Sequence, residues 1–258
     1  MRLASVFALL LVLAVQPAFT PAWAGPRFDA IKASGTLRVG LTGDYAPFSK
    51  RDPKTGAYEG LDVDLARSLS HSLGLKLEII PTSWPTLSAD LETQKFDLAM
   101  GGISVTAARE KIGLFSVPML SDGKAPIARC DKADRFATLE SIDEPDVRVI
   151  VNPGGTNEKF ARANIRHAQI ILHPENVTIF DEIIAGRADV MMTDAIETRL
   201  QAKLHPELCA VHPDQPFDHA DKAYFLTKDD ALKAAVDKWL NGLKASGELT
   251  KQIDHWVE

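Results

Sequence analysis

Cysteine is scarce in this sequence. Cys130 and Cys209 are the two present, no Cys-x-x-Cys occurs, and the seven histidines are scattered with no His-x-x-x-His. These absences remove the compact ligand spacings of zinc sites, and no metal is expected. Blocks of like charge are also missing. The net charge of -6 is modestly acidic, so nucleic acid is not an expected partner. There is no Gly-x-Ser-x-Gly elbow of the hydrolase type and no low-complexity linker. Long apolar runs are limited to Leu3–Val15, which is shorter than the ~20 residues of a membrane-spanning helix.

That one run has a clear purpose. Arg2 gives a positive start, the apolar stretch follows, and Ala22-Trp23-Ala24 supplies the small-x-small pattern of a cleavage site. Residues 1–24 are therefore expected to be a signal peptide, with the mature protein beginning near Gly25 in the periplasm and free of the membrane. In an exported chain the two cysteines most simply form one disulfide; the other outcome is two unpaired buried thiols.

Apolar runs alternate with helical patterns along the rest of the chain. Thr36–Leu41, Leu75–Ile80 and Phe96–Met100 read as strands, separated by helices over Leu61–Leu73 and Thr86–Gln94. Leu61, Leu65, Leu69 and Leu73 keep the i, i+4 spacing of an amphipathic helix. The order β-α-β-α-β predicts a parallel sheet with helices on its faces, and a binding crevice beyond the carboxyl ends of its strands. The pattern then repeats. Strands at Val147–Val151, Ile170–Leu172 and Val190–Thr193 alternate with helices over Asn157–Ala163 and Val177–Ala185.

Apolar crossings near Pro126–Ala128 and Ala220–Leu226 predict two lobes and a hinge, with lobe 1 over 25–126 and 221–258 and lobe 2 over 127–220. A last helix, Asp230–Leu243, carries Ala231, Ala235 and Trp239 on one face and is expected to pack back on lobe 1. The fold class is α/β, two-lobed, with an interlobe cleft.

Several segments resemble the amino-acid-binding branch of periplasmic solute-binding proteins. They are 41–48, ending Tyr45-Ala46-Pro47-Phe48, then Gly60-Leu61-Asp62-Val63-Asp64-Leu65, the stretch from Ile103-Ser104 to Arg109, and Ala185-Gly186-Arg187-Ala188-Asp189. Others look like the periplasmic cyclohexadienyl dehydratases, enzymes built on that scaffold: Pro81-Thr82-Ser83-Trp84-Pro85, Asp122-Gly123-Lys124, the stretch from Asn152-Pro153-Gly154-Gly155 to Phe160, and Met192-Thr193-Asp194-Ala195-Ile196-Glu197. Leu204–Val211 agrees as well. The resemblance implies a cofactor-free lyase that converts prephenate to phenylpyruvate and L-arogenate to L-phenylalanine. The alternative is a periplasmic amino-acid-binding protein that serves an ABC transporter. Self-association into a homo-oligomer stays open.

Both readings need cations and donors for carboxylates. By resemblance Arg109 holds an α-carboxylate, where a guanidinium can bind bidentately, and Ser104 adds a hydroxyl donor or caps a turn. Thr156 and Asn157 follow a glycine-rich turn into a helix N-terminus, which favours an anion; Thr156 also fits a simple N-cap. Lys124 is expected in a turn as the anchor for a second carboxylate, while Trp84 and, more weakly, Tyr45 are expected to line the cleft. Asp194 corresponds to the aspartate that pairs with an amino acid's ammonium group.

Glu197 stands where simple binders usually carry a small residue. Dehydration needs the departing hydroxyl protonated, and a glutamate in a dry cleft beside an aspartate is held in its acid form. Glu197 is therefore expected to be the general acid, against the plainer expectation of a solvated side chain on a helix's first turn.

Overall fold

The computed structural model describes residues 25–257. The expected signal peptide, 1–24, lies outside them. Two five-stranded sheets organise the chain. In the first, Lys76–Pro81, Thr36–Leu41 and Leu98–Ala99 run parallel in that order, then Phe225–Leu226 and Leu114–Phe115 add antiparallel pairings. In the second, Gln169–Leu172, Arg148–Val151 and Val190–Asp194 run parallel, followed by the antiparallel Lys124–Arg129 and Leu208–Ala210. The expected parallel triplets are present, but both sheets are mixed. Each gains one strand next to the crossing, Phe225–Leu226 in the first sheet and Lys124–Arg129 in the second.

Those strands locate the connection between lobes. Leu120–Asp122 pairs antiparallel with Ala220–Lys222 in a separate two-stranded ribbon. The crossing expected at Pro126–Ala128 falls instead at Leu120–Asp122. Pro126, Ile127 and Ala128 are mid-strand residues paired across to Met192, Met191 and Val190. Their apolar character comes from burial in the second sheet, which takes in Lys124–Arg129 whole.

Core packing follows the helical periodicity. The Leu61–Ser72 helix buries Leu61, Leu65 and Leu69 against Leu37, Val39 and Leu41 of the Thr36–Leu41 strand. Asp230–Ser246 joins the same core, as expected for a helix that packs back on the first lobe. Its buried stripe, however, is Leu232, Val236 and Leu240, while Ala231, Ala235 and Trp239 are half-buried beside it. Both stripes keep i, i+4 spacing; the branched aliphatic row buries more apolar surface than a row with two alanines. A further helix, Glu248–Val257, follows after the left-handed Gly247 and lays Ile253, Trp256 and Val257 against this core. The second lobe is built on Val147, Val149, Val151, Val190 and Met192.

Cys130 and Cys209 are joined by a disulfide across 79 residues. It ties the edge strand Leu208–Ala210 to its neighbour Lys124–Arg129 at one end, where Leu208 faces Arg129.

Candidate active site

The turns after the parallel strands converge between the lobes, as the physics of open α/β sheets requires. Trp84 follows Lys76–Pro81, Asn152 follows Arg148–Val151, and Asp194 ends its own strand. With Tyr45, Thr156 and Asn157 they line a small pocket between the lobes. The turn Gly101-Gly102, after Leu98–Ala99, is pinned from below. Asp62, buried at the start of the Leu61–Ser72 helix, accepts N–H bonds from Gly101 at 2.7 Å and Gly102 at 2.8 Å, and the hydroxyl of Tyr224 at 3.2 Å. Burial pushes the Asp62 carboxyl up to about 6 against those donors. Gly102 has a φ of 67°, and a Cβ there would lie 2.5 Å from the Phe48 ring, so only glycine fits. This turn delivers Ser104 and Arg109 to the cleft.

Asp194 is the hub. Its Oδ1 accepts from Lys124 Nζ at 2.7 Å, and its Oδ2 accepts from Lys222 Nζ at 2.5 Å and from the Tyr45 hydroxyl. Burial opposes ionisation, yet the two lysines outweigh it and hold the carboxyl below the usual range. Lys124 also donates to Thr156 Oγ1 at 3.0 Å and to Asn157 Oδ1 at 2.6 Å. Asn157 turns its amide NH2 to Asn152 Oδ1 at 3.2 Å and to Thr193 Oγ1 at 3.1 Å.

Thr193 completes the chain by donating to Glu197 Oε2 at 2.5 Å. Glu197 is the third residue of the Ala195–Leu204 helix and is 2% exposed, so it is not a solvated first-turn side chain. Burial pushes its carboxyl up to about 8; the Thr193 hydroxyl works against this, and the Asp194 charge works with it. At neutral pH the group carries its proton.

Arg109 is 4% exposed and donates to the Ser104 carbonyl at 2.8 Å. Burial lowers its guanidinium to about 10, which leaves it cationic at neutral pH. Among the described residues no carboxylate forms an ion pair with it. The ion pairs of Lys124 and Lys222 both end on Asp194. Three buried cations thus face one ionised carboxylate among these pairs, an excess that an anionic ligand would neutralise.

Most of the expected residues meet here, with differences in detail. Lys124 opens a buried strand and is not in a turn, because Asp122-Gly123 has already completed the crossing. Gly155 is the N-cap of the Thr156–Asn164 helix, and Thr156 is its first residue, with its hydroxyl turned to Lys124. Ser104 receives Lys222 Nζ on its hydroxyl at 2.8 Å. Trp84 meets Tyr45 edge-on with centroids 5.7 Å apart and donates to Asp44 Oδ1 at 3.0 Å.

Lys222 escaped sequence reading. It lies in a return crossing that was read for its apolar character alone, and the signal was one lysine directly ahead of the buried run Ala223-Tyr224-Phe225-Leu226. Asn152, Thr193 and Asn176 were likewise missed as contacts. Among the described residues no group of three or more His, Cys, Asp or Glu is placed to hold a metal ion.

Two mixed α/β lobes joined by a crossing ribbon, with a charged pocket between them, define the solute-binding protein fold. The chain belongs to the bacterial extracellular solute-binding proteins, family 3, whose profile matches residues 37–258. Within the wider group it is 57% identical over 232 residues to the cyclohexadienyl dehydratase of Pseudomonas aeruginosa, spanning 90% of this chain and 86% of that one. It is 26% identical over 231 residues to the L-cystine-binding protein of Escherichia coli K12, spanning 88% and 85%.

Among solved structures it is similar to an ancestral amino acid-binding protein described as a precursor of cyclohexadienyl dehydratase. The TM-score is 0.82 at 37% identity, covering 89% of this chain and 99% of that one. An ancestral cyclohexadienyl dehydratase gives a TM-score of 0.57 at 50% identity, covering 91% and 97%.

Proposed function

We propose that this chain is a periplasmic cyclohexadienyl dehydratase. It removes water and CO2 from prephenate to give phenylpyruvate, and acts in the same way on L-arogenate to give L-phenylalanine. The observation that carries the reading is Glu197, buried between the lobes and protonated at neutral pH beside an ionised Asp194. A binding protein has no use for a poised acid at that place. The similarity to the Pseudomonas aeruginosa enzyme supports the same conclusion.

In the proposed mechanism Arg109 takes one carboxylate of the substrate and Lys124 the other, Lys124 giving up its bonds to Thr156 and Asn157; Thr156 then adds a hydroxyl donor, and Asn157 keeps its bond to Thr193. Ser104 and Tyr45 hold the Lys222–Asp194 pair in place from the other lobe, and Trp84 covers the ring. Glu197 gives its proton to the ring hydroxyl as the C–O bond breaks and water leaves. The C–C bond to the ring carboxylate breaks in concert, its electron pair enters the aromatic ring, and CO2 departs. Aromatisation supplies the drive, and the protein supplies position and one proton.

The lobes are taken to close about the Leu120–Asp122 and Ala220–Lys222 ribbon. Export through the 1–24 segment would place the enzyme in the periplasm. The second reading, an amino-acid-binding protein of a transporter, draws on Arg109 and Asp194 as partners for an α-carboxylate and an α-ammonium. Phenylpyruvate formation from prephenate by the purified protein separates the two. Turnover above the spontaneous rate supports the enzyme, and its absence leaves the binding protein.

A further inference from the structure

A second cavity touches the buried acid from the other side. It has a volume of about 180 Å³ and is lined by Glu197, Asp44, Asn176, Gln201 and His205, with the apolar Val177 and Leu204 also on its wall. The last two are 55% and 59% exposed, so the cavity reaches the surface there. Glu197 borders this cavity, while Asp194, three residues earlier, borders the smaller pocket.

Asn176 lines both and forms the partition between them. Its Nδ2 donates to the Asp44 carbonyl at 2.9 Å, which ties the two lobes together. Its Oδ1 is buried and has no partner among the described residues. A buried amide oxygen without a partner, on the wall of a polar cavity, marks a position that water would satisfy. Gln201 follows Glu197 by four residues, on the same face of the Ala195–Leu204 helix, and adds a second amide to the wall.

The chemistry of the proposed reaction requires such a route. Each turnover moves one proton from Glu197 onto the departing hydroxyl, and the carboxylate left behind must be protonated before the next cycle. Prephenate enters as a dianion and leaves as one monoanion, CO2 and water, so one proton is drawn from solvent per turnover. Glu197 is 2% exposed, and this cavity is the opening on its wall towards solvent.

We propose that the second cavity is a water-filled vestibule through which solvent returns the proton to Glu197, with Asn176 and Gln201 holding the water chain. This inference rests on the dehydratase reading and adds to it a path and the residues that line it.

Two variants test it. Gln201→Leu removes a polar wall, and Val177→Trp narrows the mouth from an exposed position that leaves the core intact. CO2 release is irreversible, so reprotonation follows the first committed step and affects kcat without affecting kcat/KM. The expected result for both variants is a kcat about tenfold lower, within the reach of a single proton-transfer step. An enlarged solvent deuterium isotope effect on kcat and an unchanged kcat/KM should accompany it. For Gln201→Leu, raising the concentration of a small acid such as imidazolium should recover kcat.

If the wild type turns over prephenate and both variants match it in kcat, the vestibule is refuted and the dehydratase reading stands. A joint fall of kcat and kcat/KM without acid rescue refutes it too, since that marks a disturbed substrate site. Failure of the wild type to turn over prephenate removes both.

Discussion

Asp194 and Glu197 stand three residues apart at one strand–helix junction, yet their protonation is driven in opposite directions. Two lysines hold Asp194 ionised, while burial and the neighbouring Asp194 charge hold Glu197 protonated. Two carboxyls pushed apart in this way divide the labour of a site, one fixing charge and one offering a proton. The bond from Thr193 to Glu197 and the bond from Asn157 to Thr193 connect Glu197 to Lys124. Glu197 and Lys124 are therefore parts of one network.

The acid form of Glu197 should set the alkaline limb of activity. With its carboxyl pushed up to about 8, the active form is full near neutral pH and is lost as pH rises through that value. A pH profile of kcat should fall above about 8, and a flat profile from pH 6 to 10 would contradict the assignment.

Stability should carry the same signature with a defined sign. Glu197 binds its proton more tightly in the folded chain than at its ordinary value of 4.5, so folded stability falls as pH rises from there to about 8 and then levels. Asp62 acts in the same direction over a narrower range, up to about 6. The comparison is therefore with Glu197→Gln, which removes one slope and keeps the other. Urea unfolding at pH 5 and pH 9 should show the variant gaining on the wild type at the higher pH, by a difference on the order of a few kcal/mol.

Lys222 should matter for both folding and substrate. Lys222→Met leaves Asp194 with one lysine and removes a buried cation from the cleft. Breaking a buried pair of this kind costs about 3–5 kcal/mol. Chemical denaturation and steady-state kinetics should show lower stability and a raised KM for prephenate. Unchanged values in both would show that the ion pair is idle.

Prephenate should be preferred over L-arogenate. The Asp194 oxygens already accept two lysines and the Tyr45 hydroxyl, so little acceptor capacity remains for a substrate ammonium. The ratio of kcat/KM values measures this. A clear preference for L-arogenate would mean that Asp194 exchanges a lysine for the substrate.

The disulfide closes a loop of 79 residues, for which chain entropy gives about 4.5 kcal/mol. Thermal melts with and without reductant, or of Cys130→Ser with Cys209→Ser, should show a substantial loss of stability, and overlapping melts would contradict this.

Much of this arrangement was legible in the sequence, for identifiable reasons. The Leu61, Leu65, Leu69 spacing and the strand runs report local burial, which needs no partner to be visible. Asp194 and Glu197 were legible through their place after a buried strand and through the family resemblance. The apolar run at Pro126–Ala128 misled because burial alone does not distinguish a crossing from the middle of a strand. Lys222 stayed hidden because its partners, Asp194 and Ser104, are 28 and 118 residues away in sequence, and only the ribbon at the crossing brings them together. The exact face of Asp230–Ser246 depended on which of two adjacent stripes met the core, and that is decided in three dimensions.

The most direct measurement follows phenylpyruvate formation from prephenate by the purified wild type and by Glu197→Gln, with substrate binding measured in parallel. The expected result is rapid turnover by the wild type, a loss of about 10²–10⁴-fold in kcat for the variant, and prephenate binding retained by both. Full activity in the variant would contradict the role of Glu197, and no turnover by the wild type would contradict the enzyme.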